Sequence, residues 1–263
     1  MNILHLAIRA AIDAGEEILK IYATDFNVEY KGDASPLTIA DEKANEVIND
    51  YLKKTDIPII SEENKQISYD ERRKWSRCWI VDPLDGTKEF VKRNGEFTVN
   101  IALVDKGNPF LGVIYVPVTK TLYFTSEDGS TSFKAELDNT DAAVESIVSK
   151  ASEIAPLAGL SEPVKIVGSR SHLNDDTRAF VANIEKDKSV EIVSRGSSLK
   201  FCLVAEGLAH LYPRYAPTME WDTAAGQAIC KAVGVEVIDI TTDKPLQYNK
   251  ENLLNNYFLV KNR

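Results

Sequence analysis

The 263-residue chain contains 44% hydrophobic and 27% charged residues, a composition typical of a soluble globular protein and unlike that of a disordered one. Its formal net charge of -9 argues against general binding to nucleic acid, although it allows a small phosphorylated substrate that meets metal ions or a few lysines and arginines. The cysteines, Cys78, Cys202 and Cys230, form neither a CxxC pair nor a zinc-ligand spacing, which fits reduced thiols in a cytoplasm.

The N-terminal residues, MNILHLAIRAAIDAGEEILK, mix polar with apolar side chains throughout, so they do not resemble a signal peptide. No segment has the length and hydrophobicity of a transmembrane helix. We therefore expect a cytoplasmic protein, and we leave open a peripheral attachment to the cytoplasmic face of the inner membrane.

The first half of the chain predicts two helices followed by strands. Apolar residues recur at three- and four-residue steps over residues 4–22, and again over residues 40–52 after a polar loop, KGDASPLTIADEKAN. Thr38 and Asp41 have the spacing of a capping box at the second helix. Short apolar runs then predict strands at residues 57–60, 79–81, 97–104, 110–116 and 122–124, with the third and fourth forming a hairpin.

The second half alternates between strand and helix patterns. We expect residues 135–163 to connect two lobes, an N-terminal lobe of residues 1–134 and a C-terminal lobe of residues 135–263. In the second lobe the pattern predicts strands at residues 164–167, 190–193, 235–240 and 258–260, and helices near residues 176–184, 197–207 and 222–234. The sequence therefore predicts an α+β protein.

Carboxylates repeatedly follow the predicted strands. Glu62 and Glu63 come after IPIIS, Asp82 and Asp85 lie in DPLDGT, and Asp222 opens WDTAAG. If these groups converge, two charges about 4 Å apart repel by roughly 4 kcal/mol at an effective dielectric constant near 20. A hard divalent cation removes that repulsion, and oxygen ligands with only scattered histidines favour Mg²⁺ over zinc.

Each of these residues also has a purely structural interpretation. Asp41 could complete a capping box, Asp222 could cap a helix, and Glu62 with Glu63 could form a solvated turn. The DPLDGT segment could be a turn, although a turn does not need two aspartates and a threonine after a buried strand. Its D-x-x-D-G-T spacing is one residue longer than the D-x-D-G-T of aspartyl-nucleophile phosphatases, which disfavours a covalent aspartyl-phosphate mechanism.

Together, SEEN, IVDPLDGT and EWDTAAG resemble the inositol monophosphatase superfamily of metal-dependent, lithium-sensitive phosphatases. Longer segments, among them GDASPLTIAD, GSRSH, GSSLKFCLVAEGLAHLYPR and PTMEWDTAAG, closely resemble the CysQ-type 3′(2′),5′-bisphosphate nucleotidases across nearly the whole chain apart from residues 135–163. The resemblance implies a layered α/β/α/β/α fold with the active site between two lobes. It also implies Mg²⁺-dependent removal of the 3′-phosphate of adenosine 3′,5′-bisphosphate, action on the related phosphosulfate, and a role in sulfur assimilation.

The resemblance also implies roles for individual residues. Two or three Mg²⁺ ions would be held by Glu62, Asp82, the Leu84 carbonyl, Asp85 and Asp222, with Glu63 as an additional candidate. Asp41 and Thr87, together with Glu62, would orient and deprotonate the attacking water. No covalent intermediate is implied.

Substrate contacts are implied on both sides of the active site. The metal-binding segment contributes Leu84, Asp85, Gly86, Thr87 and Lys88, and Asp222 joins them from the second lobe. The second lobe adds Ser169, Arg170, Ser197, Ser198, Lys200 and Arg214. Lysine and arginine would bind the phosphate that is not cleaved. Without the resemblance, Lys200 and Arg214 would be interpreted as solvated surface cations.

Two other functions remain open at this stage. One is a phosphatase of the same superfamily that acts on inositol phosphate or a sugar phosphate, against which GSSLK and YPR argue. The other is a non-catalytic sensor of Mg²⁺ and nucleotide, against which the complete carboxylate set and Thr87 argue. The sequence predicts a small-molecule partner and leaves the oligomeric state undetermined.

Overall fold

The computed structural model of the protein describes residues 2–24, 28–30, 36–168 and 174–262. Its helices are α1 (Ile3–Tyr22), α2 (Ile39–Leu52), α3 (Tyr69–Arg72), α4 (Thr87–Val91), α5 (Val144–Lys150), α6 (Asp175–Ile184), α7 (Leu199–Ala205) and α8 (Ala224–Ala232). Its strands are β1 (Val28–Tyr30), β2 (Pro36–Thr38), β3 (Ile59–Ser61), β4 (Arg77–Asp85), β5 (Thr98–Asp105), β6 (Asn108–Val116), β7 (Thr121–Thr125), β8 (Ser132–Glu136), β9 (Ser152–Glu153), β10 (Val164–Gly168), β11 (Val190–Ser194), β12 (Leu211–Arg214), β13 (Val235–Asp239), β14 (Lys244–Pro245) and β15 (Phe258–Asn262).

Seven strands form the first large sheet, in the order β3-β4-β5-β6-β7-β8-β9. The β3–β4 pair is parallel and the other neighbours are antiparallel. Strand β4 is buried on both faces, with Trp79 and Val81 in one hydrophobic cluster and Cys78 and Ile80 in another. Helices therefore cover both sides of this sheet, which explains why β4 is an apolar run rather than an alternating one.

Six strands form the second large sheet, in the order β11-β10-β12-β15-β13-β14. Strand β10 pairs in parallel with β11 and β12, while the remaining neighbours are antiparallel. Parallel neighbours need a crossover connection, which α6 and α7 supply between these strands.

The layers follow from three buried clusters. Helices α1 and α2 pack on the outer face of the first sheet, helices α7 and α8 lie between the two sheets, and α6 covers the outer face of the second sheet. This order is the predicted α/β/α/β/α arrangement. In the middle layer Phe201 stacks on Phe258 of the second sheet at 5.6 Å between ring centroids.

Most of the predicted elements are confirmed, including the hairpin of β5 and β6. The antiparallel pair β1–β2 was not predicted, because three-residue strands in a polar segment carry no detectable periodicity. Residues 135–163 hold α5 and β9, and β9 joins the first sheet. The division into lobes at residues 134 and 135 stays a prediction, and the Thr38 side chain of the predicted capping box lies outside the described residues.

Across the described ranges, none of the helices combines the length and the apolar character that crossing a bilayer would require.

Helix α8 approaches strand β6 so closely that only glycine fits at residue 112. A Cβ atom there would lie 2.5 Å from the main-chain oxygen of Ala225 and 2.9 Å from the Cβ of Ala228. We expect Gly112→Ala to lower the free energy of unfolding by about 1–3 kcal/mol through overpacking. In a strand with no close neighbour, the same change would raise the free energy of unfolding by about 0.5–1 kcal/mol. The sign of the measured change therefore tests whether α8 lies this close to residue 112. Urea unfolding of both proteins measures it, and an increase would contradict the close approach.

Candidate active site

Three carboxylates from the first sheet and the middle helical layer meet at one point. Glu62, Asp82 and Asp222 each offer an oxygen, and these oxygens lie within 4.8 Å of one another. Strands β3 and β4 are parallel neighbours, with Ser61 opposite Val81, so their carboxyl ends place Glu62 beside Asp82. Asp222 arrives from the turn before α8, so the site lies where the middle helical layer meets the first sheet.

Burial and mutual repulsion dominate the electrostatics of this cluster. Burial raises the pKa of Asp82 well above its usual range, and the charges of Glu62, Asp85, Asp222 and Asp41 raise it further, in that order. Burial, followed by the charge of Asp85, raises the pKa of Asp222 to about 7. The predicted convergence of carboxylates is therefore present in the structure.

A bulge in β4 shapes the segment between the two aspartates. Asp82 pairs with Asn100 and Asp85 pairs with Thr98, so β4 contains one residue more than β5 over this stretch. The Leu84 N–H donates to Asp82 Oδ1 at 3.1 Å instead of joining the ladder. The bulge turns Asp85 toward the second lobe while Asp82 stays with Glu62. That the Leu84 carbonyl binds metal stays a prediction.

Of the residues predicted to handle water, Asp41 lies near this cluster, and the position of Thr87 is known from its place after Asp85 in the chain. Asp41 is buried in the first turn of α2, and it is close enough to Asp82 to raise that residue's pKa. Thr87 is the first residue of α4 and follows Gly86, whose φ of 98° only glycine adopts readily. Glu63 is half-buried, and the group of converging oxygens includes Glu62 and not Glu63.

The serines of the GSS segment contact a carboxylate. Oδ2 of Asp85 accepts from the Ser197 hydroxyl at 2.6 Å, from the Ser198 N–H at 2.6 Å and from the Ser198 hydroxyl at 2.8 Å. The Ser198 hydroxyl also lies 2.9 Å from the main-chain oxygen of Asp222, and its single proton can serve only one of these acceptors. Ser198 thus lies between the Asp85 carboxylate and the main chain of Asp222.

A cavity of about 480 Å³ opens beside these carboxylates. Its walls come from both lobes and carry charges of both signs. The residues lining it are Asp85, Gly86, Lys88, Glu89, Lys92, Asn94, Glu96, Arg195, Gly196, Ser197, Ser198, Lys200, Phe201, Tyr212, Arg214, Thr218, Asp222, Thr223 and Phe258.

Two cations from the C-terminal half of the chain, Lys200 and Arg214, line this cavity. Lys200 is buried, its Nζ donates to the Ser197 carbonyl at 2.6 Å, and burial lowers its pKa to about 8. The Nε of Arg214 is buried, and no acceptor in the described part of the chain reaches it. A buried donor without a partner is costly, so an anionic ligand at this place would satisfy it. The alternative that Lys200 is a solvated surface cation is wrong, whereas the substrate role of Arg214, which is half-buried, stays a prediction.

Of the remaining substrate predictions, Ser169 and Arg170 lie outside the described residues. Lys88 lines the cavity and is exposed. Sequence reasoning missed Arg195 and Glu96, whose side chains line the same cavity, and Asn100, whose amide donates to Ser198 Oγ at 2.9 Å. Arg195 directly precedes the GSS segment, so its position was the one available signal.

The donor set fits a hard divalent cation. Its ligand atoms are carboxylate oxygens, and a divalent cation would neutralise the negative charges that these groups bring together. A layered α/β fold with a carboxylate cluster beside its middle helical layer is the arrangement of a class of metal-dependent phosphomonoesterases, and this protein has both features.

The family assignment follows from the sequence as a whole. The chain belongs to the inositol monophosphatase family, whose model matches residues 2–262. The 3′(2′),5′-bisphosphate nucleotidase CysQ of Escherichia coli O157:H7 is 44% identical over 255 residues, which cover 95% of this chain and 96% of that protein. The CysQ nucleotidase of Haemophilus influenzae is 32% identical over 263 residues, covering 98% and 92%.

Among solved structures, CysQ from Bacteroides thetaiotaomicron, a bacterial member of the inositol monophosphatase family, matches with a TM-score of 0.87 and 50% identity, covering 98% of this chain and 96% of that one. The IMPase of Thermotoga maritima matches with a TM-score of 0.75 and 25% identity, covering 100% and 92%. The predicted family and fold are therefore confirmed.

The metal-free protein should lose stability as the pH rises. Asp82 and Asp222 have raised pKa values in the folded state, so the folded protein binds more protons than the unfolded chain. This contribution is complete below about pH 4 and is lost as the pH rises through about 7, the raised pKa of Asp222.

Asp82→Asn removes one of the repelling charges. In EDTA at pH 8 we expect a higher melting temperature for Asp82→Asn than for wild type, and the gap should shrink toward pH 4. Added Mg²⁺ should raise the melting temperature of the wild type more than that of the variant. Thermal unfolding monitored by circular dichroism measures both effects. A variant that is less stable than wild type at pH 8 in EDTA would show that other interactions of Asp82 outweigh the repulsion between the carboxylates.

Proposed function

We propose that the protein is a 3′(2′),5′-bisphosphate nucleotidase that hydrolyses the 3′-phosphate of adenosine 3′,5′-bisphosphate to give AMP and phosphate. The observation that supports this most strongly is that one cavity is lined both by carboxylates at the metal-binding cluster and by two cations, one of them buried. Asp222 and Asp85 line one end of it, and Lys200 and Arg214 line it as well. The similarity to CysQ nucleotidases over almost the whole chain points to the same substrate.

A bisphosphate explains features that a simple phosphate ester does not. The cleaved phosphate needs the metal-binding carboxylates, whereas Lys200 and Arg214 would be surplus for a substrate with one phosphate. A cavity of about 480 Å³ lies in the usual range of about 300–1,000 Å³ for small-molecule sites. Charge-assisted hydrogen bonds from Arg214 Nε to a phosphate oxygen would also satisfy its buried donor.

Glu62, Asp82, Asp85 and Asp222 would hold two or three Mg²⁺ ions, with the Leu84 carbonyl as a further ligand. When bound, Mg²⁺ supplies Lewis-acid stabilisation of the phosphate charge that develops during hydrolysis. Asp85 suits this role because every hydrogen bond described for its carboxylate reaches Oδ2. Its other oxygen, Oδ1, has no donor within the described ranges, so its lone pairs remain for a cation.

Water attack would be directed by the chain's own groups. Thr87 and Asp41, with Glu62, would orient a water and accept its proton, because an aligned acceptor within hydrogen-bond reach is what general-base catalysis requires. The N–H groups of Gly86, Thr87 and Lys88 would face the phosphate oxygens. The lobe of residues 1–134 would thus carry the chemistry, and the lobe of residues 135–263 would select the substrate.

We also propose a second substrate and a role in the cell. The phosphosulfate of the same nucleotide would fit the cavity equally well, and clearing the bisphosphate would support sulfur assimilation. All three cysteines are buried and unpaired by disulfides, which is compatible with a reducing cytoplasm.

A phosphate-release assay tests the proposal directly. Adenosine 3′,5′-bisphosphate should be hydrolysed with Mg²⁺ present, activity should disappear on chelation with EDTA, and it should return when Mg²⁺ is added in excess. Inositol 1-phosphate serves as the comparison substrate. A higher kcat/KM for inositol 1-phosphate would favour an inositol phosphatase. If neither compound releases phosphate, the result would favour a sensor.

Lys200→Ala tests whether Lys200 binds the 5′-phosphate, which is not cleaved. A charge-assisted contact contributes about 1.5–3 kcal/mol, so kcat/KM for the bisphosphate should fall roughly 10- to 150-fold. Adenosine 3′-monophosphate lacks the 5′-phosphate and should lose much less.

The matched control for this test is Lys92→Ala, which removes the same charge from an exposed position on the same cavity. It should lower kcat/KM for both substrates to a similar, small extent. Equal losses for both substrates in Lys200→Ala would mean that Lys200 does not contact the second phosphate.

A further inference from the structure

A second buried carboxylate lies two residues before Asp222, and it holds the turn on which Asp222 sits. We propose that Glu220, assisted by Arg72, is a positioning residue that fixes Asp222 opposite Glu62 and Asp82. The inference rests on the proposed function in one respect, namely that the carboxylate cluster binds divalent metal.

Glu220 is fully buried, and its carboxylate binds one segment of the chain. It accepts from the Asn249 N–H at 2.6 Å, the Lys250 N–H at 3.0 Å and the Lys250 Nζ at 2.7 Å. Its main chain is held as well, since its N–H donates to the Leu253 carbonyl at 2.9 Å. Glu220 is therefore anchored at both its side chain and its backbone to residues 249–253.

The turn that Glu220 anchors ends at Asp222. The Met219 N–H donates to Asp222 Oδ2 at 2.9 Å, and the Asp222 N–H donates back to the Met219 carbonyl at 3.2 Å. The Glu220 carbonyl accepts from the Thr223 and Ala224 N–H groups, which begins α8. Because Glu220 lies inside this turn, a shift of its side chain moves the Asp222 carboxylate.

Arg72 connects the same segment to the first sheet. It is the last residue of α3, between the strands that carry Glu62 and Asp82, and it is 4% exposed. Its guanidinium donates to Asn249 Oδ1 at 2.8 Å, to the Lys250 carbonyl at 3.0 Å and to the Glu251 carbonyl at 3.3 Å. Residues 249–251 are thus clamped between Arg72 and Glu220.

This clamp holds Asp222 in place against electrostatic repulsion. Asp222 offers an oxygen within 4.8 Å of oxygens of Glu62 and Asp82, so like charges repel it, and a flexible turn would let it move away. A buried ion pair is a poor way to gain stability, because desolvation offsets the attraction between its charges. The directional hydrogen bonds of Glu220 and Arg72 instead fix one geometry, which a ligand that comes from a turn outside the first sheet requires.

Glu220→Gln tests the proposal by metal binding without substrate. The Gln side chain keeps the size but loses the charge and one acceptor. Partners that orient a metal ligand typically contribute 10- to 100-fold in metal affinity, so we expect Mn²⁺ to bind about tenfold more weakly, as measured by electron paramagnetic resonance. The Mg²⁺ concentration for half-maximal hydrolysis should rise in parallel, while kcat at saturating Mg²⁺ stays close to that of the wild type.

Glu206→Gln is the matched control. Glu206 is also a buried partner of a lysine, Lys134, at 2.8 Å, and it lies apart from the carboxylate cluster. Both variants should lose stability, but only Glu220→Gln should lose Mn²⁺ affinity. Equal Mn²⁺ affinity in the two variants would overturn the proposal, whatever the substrate proves to be.

A milder variant covers the case in which Glu220→Gln does not fold. Asn249→Gly removes the side chain that binds Arg72, and glycine accepts the φ of 59° at this position. It should weaken Mn²⁺ binding in the same direction by a smaller factor. An unchanged affinity in a folded Asn249→Gly protein would count against the clamp.

Discussion

The mutual repulsion of converging carboxylates is the constraint on which the rest of the structure depends. Oxygens of Glu62, Asp82 and Asp222 lie within 4.8 Å of one another, so their charges repel, and burial adds to the cost of the charges on Asp82 and Asp222. Two sheets that share a helical layer keep them together. The single parallel strand pair of the first sheet supplies two members of the cluster, and the turn before α8 supplies the third. These elements thus hold the carboxylates close together against their electrostatic repulsion.

The polar groups around the cluster divide into two kinds. Some hold carboxylates in place, as the Ser197 and Ser198 hydroxyls hold Asp85. Others place positive charge on the walls of the cavity, as Lys200 and Arg214 do. A serine that appears in a substrate-binding motif can therefore act through a neighbouring carboxylate, and the two roles are separable only when its hydrogen-bond partners are known.

Features encoded locally were predictable from the sequence, whereas long-range contacts were not. The strand ends that carry Glu62, Asp82 and Asp85 follow from apolar runs that stop at carboxylates, and the motifs identified the family. The pairing of Glu220 with residues 249–250 could not be predicted, because it joins segments 29 and 30 residues apart with no repeating pattern. Glu220 lies two residues before Asp222 in EWDTAAG, and the resemblance of that motif implies a role for Asp222 alone.

Helix α8 serves both sheets, and its position determines how ligands enter. It packs against β5, β6 and β7 on one side and β13 on the other, with Gly112 allowing direct backbone contact. Moving the two sheets apart would break the contacts of α8 and expose the hydrophobic core between the sheets. The contacts of α8 therefore hold the two sheets at a fixed spacing. The shape and charge of the cavity between them then follow from how this one helix packs.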